Sequence, residues 1–230
     1  MTASDSKLFQ NQSTNPWLDL QLTPPYVLDA DRAPIEKHNA SSKEDNVYDL
    51  SLHPEPFVGS LSAPVYLLAL NPGRTESDFS WHAKPNCLKI LRQAALQSEE
   101  TVSLYYLSKE FEGSPGFAWW SQKTKMITNE FGVQKTAESL CGIQLYPYHS
   151  RKFSKIPAMT STTDYTAIVI RAAMKESKLI VVLRSWRHWI SLVPELSSYY
   201  KVATIKNPLN PCLTPGNLGE DFSVLCNEIC

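Results

Sequence analysis

Four short apolar runs punctuate the chain: PVYLLAL at 64–70, CGIQLY at 141–146, KLIVVL at 178–183 and KVATI at 201–205. Each is too short for a helix, lacks strict alternation and is rich in Leu or β-branched residues, the pattern of strands buried on both faces. Between them, apolar positions recur at helical spacing. Residues 84–97 bring Leu88, Leu91 and Ala95 to one face, 117–130 bring Phe117, Trp120 and Ile127, and 164–177 bring Ile168 and Ala172. In 217–229, Leu218, Phe222, Leu225 and Ile229 share a face, and Asn217 with Glu220 three residues later gives an approximate capping box. Strands alternating with helices predict a three-layer α/β/α sandwich around a central four-stranded parallel sheet.

The first 50 residues break this rhythm. They are rich in Ser, Asn, Asp and Pro, with scattered anchors at Trp17, Leu18, Leu20, Tyr26 and Val27. The pattern predicts an irregular N-terminal arm, disordered over its first dozen residues and then laid across a single α/β domain at 51–230. The Pro-rich stretch HPEPFVGSLSAP (53–64) leads into the first strand.

Composition narrows the function classes. A chain of 230 residues, 43% hydrophobic and 20% charged, suits one sizeable domain with a real core. Its net charge of −1 argues against a broad electrostatic grip on nucleic acid, though not against a local basic rim. Arg151, Lys152 and Lys155 cluster, as do Lys123 and Lys125; such runs are commonly solvated faces. Five cysteines without a CxxC speak against a disulfide framework and against a zinc or iron–sulfur site. No stretch approaches the ~18 apolar residues of a membrane span, and the polar opening MTASDSKLFQNQ has no signal-peptide core. A cytoplasmic protein without membrane contact, metal or cofactor is the expectation, with monomer as the default.

Chemistry-bearing residues gather just after the strands. The first run ends in Asn71-Pro72-Gly73, the second in YPYHS (146–150), the third in RSWRHW (184–189) and the fourth in NPLNP (207–211). Ligands of open parallel sheets bind outside the carboxyl ends of the strands. Asn-Pro-Gly by itself reads equally as a turn, with Pro second and Gly third, where φ is positive.

Taken together, these motifs resemble the uracil-DNA glycosylase superfamily, most closely its single-strand-selective and mismatch-specific branches. The first family motif is a hydrophobic strand followed by Gly-x-Asn-Pro-Gly, matched by Ala69-Leu70-Asn71-Pro72-Gly73. The second follows the last strand and reads like His-Pro-Ser-Pro-Arg-Asn-Pro or Asn-Pro-Ser-Gly-Leu-Asn, matched by Asn207-Pro208-Leu209-Asn210-Pro211. An Asn-Leu-x-Pro segment between them is matched by Gln144-Leu145-Tyr146-Pro147. The likeness spans roughly residues 56–229 and rests on the order, spacing and strand context of these short motifs.

The resemblance implies a metal-independent N-glycosidase that removes a damaged or deaminated base from DNA, single- or double-stranded. A flipped base is held by its Watson–Crick edge and stacked on an aromatic ring. Asn71 would position the attacking water and offer its carbonyl to the cationic sugar, while Pro72 and Gly73 let the backbone approach. Gln144 would read the base, Tyr146 would adjoin it, and Phe79 or Trp81 would stack on it. Asn207, or else Lys206 or His149, would stabilise the leaving base. Asn210, His149, Arg184 and Arg187 would contact phosphate, with Trp186, His188 and Trp189 completing an aromatic–basic cluster. For each aromatic the alternative is a core position, and for Trp189 packing is the expectation.

Three departures qualify this picture. Gln144 stands where the family reads pyrimidine with Asn; the extra methylene advances the amide by ~1.5 Å and shifts the expectation away from uracil. The second motif lacks the family's His. Ala69 replaces the first Gly. The Gln144 change, the missing His and the near-neutral charge favour a rival from a different class, a non-catalytic nucleic-acid- or nucleotide-binding module that keeps the fold. An unrelated α/β enzyme that ends two strands in Asn-Pro is a third alternative.

Overall fold

The computed structural model describes residues 15–98, 103–156 and 161–230. The four apolar runs form strands with trimmed ends: β2 (Val65–Ala69), β3 (Leu140–Gln144), β4 (Leu179–Val182) and β5 (Val202–Thr204). A further strand, β1 (Phe57–Val58), pairs antiparallel with β3, setting Phe57 against Ile143 and Val58 against Gly142. The sheet is therefore mixed and five-stranded among the described residues, in the order β1-β3-β2-β4-β5, and mostly parallel. This corrects the expected four-stranded, all-parallel sheet. Two residues between Pro56 and Gly59 are too few to give a periodic signal, and a flanking Pro is tolerated only because β1 is an edge strand.

Each parallel strand feeds two cores. Along β2, Tyr66 and Leu68 face one, and Val65 and Leu67 the other. The first core takes Ile35 from α1 (Asp29–Ser41), Ile170 and Ala173 from α6 (Ser161–Lys175), and Trp189 from α7 (Trp186–Leu192). The second takes Leu91 and Ala94 from α3 (Pro85–Leu96), Trp120 and Ile127 from α4 (Pro115–Phe131), and Leu225 and Ile229 from α9 (Asp221–Ile229). Helices thus cover both faces, and each fully buried Leu or Ile contributes roughly 1.5–3 kcal/mol. Gly142 marks the closest helix–sheet approach. A Cβ there would lie 2.6 Å from the Trp120 ring, so α4 packs as it does because β3 has no side chain at that point.

Three further expectations change. Residues 29–41 of the arm are helical rather than irregular; the sequence hides α1 because it is polar and carries Pro34 inside. The arm does lie on the core, through Trp17, Val27 and Leu28, while its first dozen residues fall outside the described ones. Ile168 is 53% exposed and does not share the buried face of α6, which Ala167, Ile170 and Ala173 form instead. The predicted helix at 217–229 is broken by Gly219 at φ 63°, giving α8 (Pro215–Leu218) and α9. Asn217 therefore lies inside α8, which Thr214 caps, and the capping box with Glu220 does not form.

The strand order places the site. From β2 the chain moves to β3 on one side, then crosses to β4 on the other. The winding direction reverses at β2, and a crevice opens there beyond the carboxyl ends of β3, β2 and β4. No helix among the described residues is long and apolar enough to cross a membrane, and all five cysteines are free.

Candidate functional site

A cavity of about 320 Å³ fills that crevice. Asn71, Pro72 and Gly73 border it after β2, Gln144 at the end of β3, and Leu183 and Arg184 after β4. Aromatic walls come from Tyr106, Trp119, Trp120 and Phe153. The volume and mixed apolar and polar lining suit a small planar ligand.

Asn71 is held in one orientation. Its Nδ2 donates to the Pro72 carbonyl and to Ser150 Oγ, both at 2.9 Å, and Ser150 in turn donates to the Lys152 carbonyl. No described group bonds its Oδ1, so the acceptor end of the amide is free. Gly73 lacks the positive φ expected of a turn glycine and forms a parallel bridge with Ser150. A Cβ on Gly73 would meet nothing within 4 Å. Gly73→Ala is therefore expected to keep unfolding stability within about 0.5 kcal/mol in urea titration, because the fold needs neither its φ nor its space.

Gln144 is 6% exposed, and its buried Oε1 has no hydrogen-bond partner. An orphan buried acceptor costs about 1–3 kcal/mol, and Gln144 is one of the residues that line the cavity.

The floor of the cavity carries a charge cluster that the sequence motifs do not announce. Glu55 is 3% exposed, and its Oε1 accepts from Tyr106 Oη at 2.6 Å and lies 3.2 Å from His149 Nε2. His149 Nδ1 meets the Gly73 carbonyl at 2.7 Å, and its Nε2 also meets the His53 carbonyl at 3.1 Å. Both ring nitrogens face acceptors alone, so both carry protons and His149 is an imidazolium. Burial pulls its pKa down, but Glu55 and the Gly73 carbonyl outweigh that and leave it raised. Burial likewise opposes ionisation of Glu55, and His149 overcomes it, holding the carboxyl well below its usual range. The antiparallel pairing that continues from β1 brings the two together, with Glu55 N donating to the Pro147 carbonyl at 2.9 Å. Gly116 seats the third member, since a Cβ there would lie 2.1 Å from the Tyr106 ring.

His82, at the end of α2 (Glu76–His82), completes a set of potential metal ligands: its Nε2, Glu55 Oε1 and His149 Nε2 lie within 4.8 Å of one another. The hydrogen bonding does not suit a metal. A ligating His82 Nε2 requires a proton on Nδ1, yet His82 Nδ1 accepts from the His53 backbone N–H at 3.1 Å. His82 is instead the neutral Nε2–H tautomer turned toward Glu55 at 3.6 Å, and burial lowers its pKa.

Other expected site residues lie elsewhere. Phe79 is outside the cavity lining, under the Arg74 guanidinium at 5.1 Å. Tyr146 is buried in the core against Phe153 and Tyr48. Asn207 and Asn210 sit on an exposed loop away from the cavity. Asn207 Oδ1 accepts from the Leu209 and Asn210 backbone N–H groups, and Asn210 Oδ1 accepts from Lys123 Nζ at 2.7 Å. Arg187 is exposed, and Trp189 is core. The chain matches no family model, no curated protein and no solved structure.

Proposed function

We propose that the chain is a divergent N-glycosidase of the uracil-DNA-glycosylase type, acting on a flipped base in DNA. The observation that carries this reading is the unpartnered Oε1 of Gln144 beside the oriented amide of Asn71, inside a base-sized cavity at the switch point of the sheet. Gln144 accepts from a base N–H, and the aromatic side chains Trp119 and Phe153 supply stacking surface. The free Oδ1 of Asn71 positions water and faces the sugar as positive charge develops on it. The carboxylate of Asp78, which also borders the cavity, favours that charge.

The test uses single- and double-stranded oligonucleotides bearing uracil, hypoxanthine or xanthine, followed by alkali to cut abasic sites. Wild type is expected to incise at least one, and Gln144→Ala to lower kcat/KM for it about 10–100-fold, the loss of one base-reading hydrogen bond to a buried amide. Uncut oligonucleotides would remove the proposal.

A second reading has its own observation. Asn207 and Asn210 stay out of the cavity, so the second motif supplies no group to the leaving base. That favours a binding module for nucleic acid or nucleotide, which would shift oligonucleotides on a gel without cutting them.

A further inference from the structure

We propose that Arg184 stabilises the departing base as an anion, the task that the second motif leaves unfilled. This inference rests on the N-glycosidase reading. Cleavage breaks the C1′–N bond and leaves its electron pair on the base, while water adds to C1′ and releases a proton. The base anion then takes up a proton from solvent. A cationic donor facing the base lowers the barrier by binding negative charge that grows in the transition state, and it keeps its own proton throughout.

Position is the first argument. Leu183 N donates to the Leu68 carbonyl, so Arg184 emerges beside β2 just as that strand gives way to Asn71. Gln144 leaves the sheet on the other side of β2, where Tyr146 N donates to the Leu70 carbonyl. Adjacent strands stand ~4.8 Å apart, so the two residues arise from strands separated by ~10 Å, with Asn71 between them. A heteroaromatic ring hydrogen-bonded at both edges spans about that distance. Gln144 and Arg184 thus border the cavity from opposite sides of β2.

Unmet bonding is the second argument. Arg184 Nε is buried and has no acceptor, and the guanidinium has no carboxylate partner among the described residues. Other arginines nearby are paired: Arg74 with Asp49 at 2.9 Å and Arg151 with Glu76 at 2.6 Å. A buried charged donor without an acceptor is costly, and a ligand oxygen or ring nitrogen in the cavity removes that cost. Burial lowers the Arg184 pKa, with no anion among the described residues to offset it.

Elimination is the third. His149 has both nitrogens engaged by Glu55 and carbonyls, Arg151 is ion-paired, and Asn207 is outside. Of the cationic groups lining the cavity, Arg184 is the one without a protein partner.

The test is single-turnover base release from single-stranded oligonucleotides carrying uracil, 5-fluorouracil, hypoxanthine or xanthine. In each pair the second ring is more electron-poor and the better leaving group. Arg184→Gln is expected to slow uracil or hypoxanthine release about 10²–10³-fold, and to slow the electron-poor partner markedly less. Arg184→Lys is expected to recover part of the loss. Thermal unfolding of both variants is expected to match wild type, since no ion pair among the described residues is removed. Equal losses for good and poor leaving groups, or a raised KM at constant kcat, would assign Arg184 to phosphate or substrate binding and overturn this proposal while sparing the N-glycosidase reading. Wild type that releases none of the four bases would overturn both.

Discussion

Glu55→Ala is expected to cost about 3–5 kcal/mol of folding stability, because it leaves the His149 imidazolium buried without its counter-charge. The pH dependence identifies the cause. Glu55 has a depressed pKa, so its contribution is present above its unfolded value of about 4.3 and is lost as pH falls through its folded value. His149 has a raised pKa, so its contribution is complete below its unfolded value of about 6.5 and is lost as pH rises through its folded value. The penalty is therefore largest between these limits and shrinks at alkaline pH, where His149 sheds its proton. His53, held down to about 3 chiefly by burial, and His82, lowered by the same cause, destabilise the fold as pH falls below about 6.5. They do so in both proteins, and His82, which faces Glu55, loses that partner in the variant and so adds to the penalty at acid pH. Urea unfolding at pH 5.5 and 8.5 measures the effect, and equal penalties at the two pH values would show that His149 is neutral.

Asn71→Ala is expected to slow single-turnover base release about 10²–10³-fold, with unfolding stability and oligonucleotide affinity little changed. The size follows from the way the amide is held. Two donor bonds to Pro72 and Ser150 fix the plane of the amide and leave Oδ1 without a partner among the described residues. In the proposed N-glycosidase, a water bonded to that oxygen would need no reorganisation as the sugar becomes cationic. The variant loses that alignment but no buried packing, since Asn71 is partly exposed. A loss confined to KM would place Asn71 in substrate binding and remove its role in positioning water.

How much of this was legible in the sequence varies with distance along the chain. Strands β2, β3 and β4 could be read because a strand buried on both faces needs an unbroken apolar run; β5 showed the same kind of short run although it is an edge strand with Thr204 exposed. Asn71, Gln144 and Arg184 could be placed because each immediately follows or ends one of those strands. Glu55 could not. It sits between two prolines before the first recognisable strand, and only the antiparallel pairing of β1 carries it across the sheet edge to His149. Tyr106 and Trp119 reach the cavity from segments whose sequence reads as ordinary core. The loop motif Asn207-Pro208-Leu209-Asn210 failed differently: its amides close the loop on itself, a local bond that residue identity alone does not distinguish from a ligand contact.

The reversal of winding at β2 also governs when the cavity can exist during folding. Glu55, Asn71, Gln144 and Arg184 come from four separate stretches of chain, and β2 must wait for β3 and then β4 to close long loops onto its two edges. A partially folded chain can complete one side of the sheet without forming a binding surface. Ligand affinity therefore arises late and all at once, so a bound base analogue would stabilise the finished sheet rather than any precursor, slowing unfolding more than it speeds folding.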